Sequence, residues 1–409
     1  MRRGLDDDPP GAPGEAAGPG RPAPFHILVF LHSFDPGGVE RIALRLAGRW
    51  AEDGSRVSLA MGRRWGPLDV EAPRNVTYDH APPLRFSRHF ESLWLVPRLV
   101  LSVRRRRPDV LFCAGNTYAI VAVLARLLLG ASCPPIICKI SNALVRPDFP
   151  RRTRTLYRLW LRIQARTFAA FVALSDAMRD EIIQEAGAAP ERVVTVPDPA
   201  LSEADLSRVP RRSESRPDAG RVFVGVGRLV RQKDFALLLR AFALGRGPRD
   251  RLILLGDGPE RRQLEDLAAE LAITDHVTFT GHVPDPRPWM AMADALVLSS
   301  LYEGAPAVLF EALGEGLPVV ATDCCPGMDA LLGGQAFGRL VAGRRPEDLA
   351  AAMFGPLPAI APQAVAEHLR GFTIERAAPS YLRLMTQAAS VRRWRGALPV
   401  AAVEAADGL

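Results

Sequence analysis

Short apolar runs alternate with longer segments of helical periodicity along most of this chain. The run FHILVFLHSF, which starts at Phe25, predicts a buried strand, and the glycine turn DPGGVER and a helix through Trp50 follow it. The first half continues with predicted strands near 56–61, 109–113, 136–140, 171–174 and 193–196, and with helices near 90–105, 118–129 and 151–168. Strands that alternate with helices predict a mostly parallel sheet covered on both faces.

A second series of the same kind begins after the polar stretch SRVPRRSESRPDAG, residues 207–220, which is typical of a linker. It predicts strands near 222–226, 252–255, 277–280, 295–298 and 319–321, helices near 235–244 and 260–271, and a helix that begins near Pro306. We therefore expect an α/β fold with two Rossmann-like domains, residues 25–206 and 221–373. A ligand cleft is expected between the carboxyl ends of their sheets.

Composition and charge disfavour several classes of function. Residues 1–24 are rich in Pro, Gly and Asp, which predicts a disordered tail. The net charge of +7 allows an anionic partner, but no zinc-ligand spacing, RNA-binding motif or helix-turn-helix pattern supports nucleic acid. The five cysteines form no CxxC pair and no signal peptide is visible, which favours a reducing cytoplasm. The apolar run 119–130 is too short to span a bilayer.

The segment VGRLVRQKDF, residues 226–235, is a candidate diphosphate site. A predicted buried strand ends at a glycine, and Arg228 and Lys233 follow within one loop before a helix begins. Cations and free helix amides are what a diphosphate requires, although a solvated basic turn would have the same composition. Of the 52 basic residues only Lys139 and Lys233 are lysines, which makes Lys233 more noteworthy.

The segment SLYEGAPAVLFEALGEGLPVVATD, residues 300–323, carries two glutamates. Glu303 precedes the helix that Pro306 could open, and Glu311 lies inside that helix. Free amides around Gly304 and Ala305 could bind phosphate oxygens, assisted by the helix dipole. The carboxylates would then accept hydrogen bonds from hydroxyl groups, one on a sugar and the other on a ribose. Helix capping is the alternative explanation for Glu303 alone.

The order of these motifs resembles the donor half of the retaining GT-B glycosyltransferases of family 4. The resemblance rests on R-x4-K, then GDGPE at 256–260, then E-x7-E with GLPVVATD behind it. It extends to GGVER at 37–41, FVALSDAMRDEI at 171–182 and FTIERAAPSYLRLMT at 372–386, which resembles the family's closing helix. It implies that residues 374–390 form a helix crossing back to the first domain, with 391–409 as a tail.

The resemblance implies a role for each matching residue. Arg228 and Lys233 would hold the donor diphosphate together with the backbone of Gly37, Gly38, Gly304 and Ala305. Glu303 would bind the transferred sugar and Glu311 the nucleotide ribose. No metal or cofactor is implied, because cations and a helix terminus would stabilise the departing diphosphate.

The mechanism implied is a front-face reaction, in which the leaving phosphate takes the proton of the acceptor. No catalytic nucleophile is therefore assigned, although retention often indicates a double displacement. The sequence departs from the family pattern at CCPGMDALL, residues 324–332, which has one glycine and an aspartate where relatives often have a glycine pair and a glutamate. This leaves the donor-sugar end of the pocket open.

Two features of the first half remain ambiguous. Asn142, just after a predicted strand, could touch the donor sugar or the acceptor, or be a simple turn residue. The helix 151–166 carries arginines beside Leu156, Leu159, Trp160 and Ile163. It could dock on an anionic membrane surface, on the inner face of the plasma membrane, or pack its apolar side on the sheet.

The leading hypothesis is a retaining, metal-independent hexosyltransferase that moves a sugar from a nucleotide-diphospho-sugar to a glycan or lipid-linked acceptor in bacterial surface polysaccharide or glycolipid synthesis. The alternatives are a sugar-nucleotide epimerase and an inactive module that binds a glycan or a protein partner. A nicotinamide-dependent oxidoreductase is disfavoured, because neither half shows GxGxxG after its first strand.

Overall fold

The computed structural model describes residues 24–34, 37–63, 66–79, 91–145, 149–207 and 220–393. The predicted tails, 1–24 and 391–409, and the linker 207–220 lie almost wholly outside these residues. The first domain contains strands β1–β7: His26–Leu31, Arg56–Met61, Thr77–Asp79, Val110–Cys113, Ile136–Lys139, Ala170–Ala173 and Val193–Thr195. Its helices α1–α6 are Gly38–Glu52, Glu91–Arg106, Ala119–Leu129, Arg151–Thr167, Asp176–Glu181 and Glu203–Leu206.

The second domain repeats this alternation. Its strands β8–β13 are Val222–Val226, Arg251–Leu255, Val277–Gly281, Ala295–Leu298, Val319–Thr322 and Gly338–Val341. Its helices α7–α13 are Phe235–Gly245, Arg261–Glu270, Arg287–Met292, Ala307–Gly314, Met328–Leu331, Pro346–Phe354 and Pro362–Leu369. The chain then continues into α14, Ile374–Arg393.

Each domain is built on a parallel sheet. Within the described residues the strand orders are β3-β2-β1-β4-β5-β6-β7 and β10-β9-β8-β11-β12-β13. Central strands such as β1 and β11 are buried along their whole length, as expected of strands covered on both faces. Both orders reverse direction beside the first strand of the domain, which is where such sheets open a binding crevice. The expected α/β fold with two Rossmann-like domains is confirmed.

Helix α14 packs on the first domain although it follows the second domain along the chain. It packs on α1, and the indole of Trp50 donates a hydrogen bond to the carbonyl oxygen of Ala378 at 3.1 Å. Tyr381 is fully buried in the core of the first domain. Close to it, Lys139 at the end of β5 forms a buried ion pair with Asp198, at 2.5 Å, where the chain leaves this domain. The crossing-back helix therefore lies against the segment that joins the domains.

Most predicted elements agree with the structure to within one or two residues, and the differences have simple causes. Strand β3 and strand β13 were not predicted, since they are short and only partly buried edge strands without a strong apolar run. Helices α6, α9, α11, α12 and α13 were also missed, because each has fewer than ten residues and little room to show helical periodicity. Pro306 is the residue before α10 rather than its first residue.

Candidate active site

The basic loop of residues 227–233 follows β8 at the carboxyl edge of the second sheet. Gly227 has a φ of +148°, and a Cβ atom there would lie 3.0 Å from the side chain of Lys233. Glycine is needed at this position both for the backbone angle and for the passage of the lysine. Arg228 is exposed and, among the described residues, makes no ion pair. Its guanidinium group is therefore available to an anion.

The GDGPE segment, residues 256–260, packs directly against this loop. A Cβ atom on Gly256 would lie 2.0 Å from the carbonyl oxygen of Gly227, and one on Gly258 would lie 2.4 Å from that of Leu229. Leu229 and Glu260 complete the contact, because the amide of Leu229 donates to Asp257 and the amide of Glu260 donates to Leu229, both at 3.0 Å. The two glycines thus permit a close backbone contact that fixes the basic loop.

Glu303 and Lys233 form the centre of the site. The ammonium group of Lys233 lies 2.6 Å from Oε1 of Glu303, and the two side chains are 19% and 9% exposed. The hydroxyl group of Ser300 donates to the same oxygen at 2.8 Å. The amide of Glu303 donates to the carbonyl oxygen of Cys324 at 2.7 Å, which holds the loop after β11 against the loop after β12. The structure therefore brings the predicted diphosphate and sugar residues together.

Arg344 contacts the residues on either side of the Lys233–Glu303 pair. Its guanidinium group donates to the carbonyl oxygens of Ser299 and Ser300 at 2.8 and 2.7 Å, and it pairs with Asp234 at 2.5 Å. Asp234 in turn caps α7 by accepting from the amide of Leu237 at 3.3 Å. Arg344 therefore ties the Glu303 loop to the end of the basic loop. Sequence reasoning missed this residue, which is separated from both loops along the chain.

Glu311 faces the first domain from α10. Its carboxylate lies 3.5 Å from the guanidinium group of Arg41 on α1, which also pairs with Glu71 at 3.2 Å. Burial raises the pKa of Glu311, and the positive charges of Arg41 and Arg45 act in the opposite direction. The predicted ribose residue thus lies at the interface of the domains, and the role of Arg41 was not foreseen.

The glycine turn before α1 lies on the first-domain side of the cleft. Gly38 begins α1, and a Cβ atom on it would meet nothing within 4 Å. A Cβ atom on Gly37 would lie 2.1 Å from the carboxylate of Glu40. That carboxylate accepts a hydrogen bond from the hydroxyl group of Tyr118 at 2.6 Å. A side chain at Gly37 would therefore displace the Glu40 carboxylate, whereas one at Gly38 would meet open space.

Asn142 lies in the loop that meets the Glu303 loop across the cleft. The amide of Ala143 donates to the carbonyl oxygen of Glu303 at 3.0 Å. A Cβ atom on Gly304 would lie 2.2 Å from the carbonyl oxygen of Ser141 and 3.0 Å from the amide nitrogen of Asn142. Ala305 contacts the cores of both domains. Gly304 is therefore needed for a close contact between domains, a reason that the sequence did not reveal.

Solved structures of known proteins share this fold. A crystal structure of HepE from Anabaena, solved with UDP, superposes with a TM-score of 0.67 at 19% identity, over 88% of this chain and 99% of that one. The glycosyltransferase WaaG superposes with a TM-score of 0.63 at 18% identity, over 90% and 100%. These likenesses show the fold.

Two family profiles match, one in each domain. "Glycosyltransferase Family 4" matches residues 36–199, and "Glycosyl transferases group 1" matches residues 220–355. The chain belongs to the GT-B glycosyltransferases.

Curated relatives align with parts of this chain. LpsE of Rhizobium meliloti, a lipopolysaccharide core biosynthesis glycosyltransferase, is 29% identical over 72% of this chain and 78% of its own length. LpsD of the same organism is 39% identical over 31% of this chain. The alignments cover only 34% of LpsD and 28% of an uncharacterised glycosyltransferase of Methanocaldococcus jannaschii.

Proposed function

We propose that this glycosyltransferase is a retaining, metal-independent enzyme that moves a hexose from a nucleotide-diphospho-sugar to a glycan or lipid-linked acceptor. The observation that carries the proposal is the Lys233–Glu303 pair, a half-buried lysine and a buried carboxylate at the carboxyl edge of the second sheet. Two curated relatives have names that refer to lipopolysaccharide core synthesis, and HepE was solved with UDP. Synthesis of a bacterial surface polysaccharide or glycolipid is the process proposed.

The donor would lie across the second domain, with its ribose on Glu311 and its diphosphate on Arg228 and Lys233. The amides of Gly304 and Ala305 would meet the phosphates at the start of α10, with Gly38 facing them from the first domain. When the diphosphate binds, its negative oxygens neutralise part of the positive charge of Lys233. Without the diphosphate, the carboxylate of Glu303 neutralises that charge. Glu303 is then free to accept hydrogen bonds from the sugar hydroxyl groups.

The transfer proposed is a front-face substitution. The bond between the anomeric carbon and the phosphate oxygen breaks, and the acceptor oxygen forms its bond to the same face of that carbon. The acceptor proton passes to the departing phosphate oxygen, so that no side chain must act as nucleophile. Arg228, Lys233 and the helix terminus stabilise the charge that develops on the diphosphate. Asn142 is proposed to contact the sugar or acceptor, since its loop touches that of Glu303.

We place this reaction in the cytoplasm, with the enzyme associated peripherally with the inner face of the plasma membrane. All five cysteines are free and buried, which is consistent with a reducing compartment. No helix in the described part of the chain is long and apolar enough to cross a membrane.

The test is a transfer assay with UDP-, GDP-, ADP- and TDP-sugars and a panel of glycan and lipid-linked acceptors, with and without EDTA. Proton NMR of the product gives its anomeric configuration. Retention with unchanged turnover in EDTA supports the proposal. Inversion, or loss of turnover in EDTA that Mg²⁺ restores, contradicts the mechanism. Epimerisation of a donor without an acceptor would favour the epimerase alternative.

A further inference from the structure

A cavity of about 560 Å³ opens between α7 and α8 of the second domain. Its walls are the end of the basic loop, one side of each helix and Leu301 of the Glu303 loop. Lys233, Glu303 and Glu311 do not line it, so it is distinct from the candidate donor site. Its volume is within the range of ligand-binding pockets, which is about 300–1,000 Å³.

The floor of this cavity is apolar. Leu264 and Leu267 lie on the same side of α8, three residues apart, and are buried. The half-buried Leu301 adjoins them, and Ala236 on α7 contributes only a methyl group, which leaves the space above the leucines open. A floor of this kind offers an apolar surface to a flat ring such as a nucleobase.

Charged side chains of both signs surround the floor. Arg231 and Arg240 line the cavity from the basic loop and α7, and Glu260 and Glu270 line it from α8. Within the part of the chain that the structure describes, none of these four side chains forms an ion pair or a hydrogen bond. Opposite charges that share a cavity and stay unpaired keep their capacity to bind a ligand. The arginines can bind phosphate oxygens, and the glutamates can accept hydrogen bonds from hydroxyl groups.

We infer that this cavity is a second nucleotide site, which binds a nucleoside diphosphate with its base on the leucines, its ribose hydroxyl groups on the glutamates and its phosphates on the arginines. A sugar phosphate would leave the apolar floor uncovered, and an apolar acid would offer the glutamates no donor. A nucleoside diphosphate is also what the proposed transfer releases. Identifying the occupant as that product rests on the proposed function, whereas the chemistry of the cavity does not.

The cavity and the donor site share two loops. The amide of Leu301 donates to the carbonyl oxygen of Gln232 at 2.7 Å, and the side-chain amide of Gln232 donates to the carbonyl oxygen of Tyr302 at 2.9 Å. Arg231 and Lys233 lie on one turn. Phosphates bound to Arg231 would lower the positive potential that a donor diphosphate meets at Lys233, so occupancy of the cavity weakens donor binding. The released nucleotide would then inhibit the enzyme from a separate site.

The test is equilibrium dialysis of the full chain with labelled UDP, GDP, ADP and TDP. One of them is expected to bind the wild type at two sites per chain. Arg240→Gln with Glu270→Gln, the cavity variant, is expected to weaken one of these sites about tenfold or more, because both residues make charge-assisted hydrogen bonds there. Arg262→Gln with Glu347→Gln, at exposed residues that do not line the cavity, is the control and retains both sites.

Glu311→Ala separates this inference from the proposed function, since Glu311 lies outside the cavity. If only one nucleotide binds and Glu311→Ala removes it, the inference is overturned and the proposed donor site stands. If only one binds and the cavity variant alone removes it, the inference stands and the donor site does not. No binding of any nucleotide overturns both. Circular dichroism and thermal melting exclude misfolding of the variants.

Two further measurements test the identity and the role of the occupant. Labelled glucose 1-phosphate, which has no base, is expected not to bind the Glu311→Ala variant, and binding as tight as that of the nucleotide would overturn the nucleotide assignment. Inhibition of transfer by the released nucleotide is expected to be mixed with respect to the donor in the wild type and purely competitive in the cavity variant. Purely competitive inhibition of both proteins would overturn the inhibitory role.

Discussion

The Lys233–Glu303 pair offers the sharpest prediction about stability. Truncating one partner of a fully buried pair costs about 3–5 kcal/mol, whereas exposed pairs contribute about 0–1 kcal/mol. Lys233 is 19% exposed and Glu303 is 9% exposed. Because Glu303 also keeps the hydrogen bond from Ser300, we expect Lys233→Ala to destabilise the second domain by about 2 kcal/mol.

Hydrogen exchange of the β8 and β11 amides measures this change as a fall in their opening free energy. The double variant Lys233→Ala, Glu303→Gln is expected to recover most of the loss, since no buried carboxylate is left without its cation. Arg345→Ala, which breaks the exposed pair with Asp348, is the matched control and leaves these amides unchanged. This prediction is wrong if Lys233→Ala is as harmless as the control, or if the double variant is no more stable than the single one.

Three further predictions follow from individual contacts. Arg41→Ala removes a cation that opposes the burial-raised pKa of Glu311, so the acid limb of the pH profile of nucleotide binding should move to higher pH; an unchanged midpoint would contradict this. Gly304→Ala places a Cβ atom 2.2 Å from the carbonyl oxygen of Ser141 and should enlarge the radius of gyration in solution scattering, whereas Gly314→Ala, which meets nothing within 4 Å, should not. Burial lowers the pKa of His26 to about 4, so the unfolded chain takes up a proton below pH 6.5 while the folded chain does not. The stability of the first domain should therefore fall by up to about 3 kcal/mol as the pH drops from 6.5 to 4, and His26→Asn should flatten that slope in urea titrations.

Much of the fold could be predicted from the sequence because parallel strands buried on both faces leave continuous apolar runs, as in β1 and β11. Edge strands such as β3 lack that signal, and short helices have too few turns to show a period. These are the elements that were missed.

The candidate site was predictable to the extent that it is local in sequence. Lys233 and Glu303 were identified from two loops, and the structure brings them to 2.6 Å. The contact between Arg41 and Glu311 depends on how the domains face each other, which no local pattern encodes. The same is true of Gly304, whose neighbour Ser141 is remote in the chain.

Calorimetric titration with UDP-, GDP-, ADP- and TDP-sugars, using the wild type, Lys233→Ala and Glu311→Ala, tests whether the cleft between the domains is a donor site. Arg345→Ala and Glu347→Ala are the controls, exposed residues of the same charges on the same domain. We predict that one donor binds the wild type and the controls equally and that both site variants bind it at least about tenfold more weakly, about 1.4 kcal/mol. Binding that neither site variant weakens, or no binding of any donor at millimolar concentration, would contradict the assignment of this cleft as a donor site.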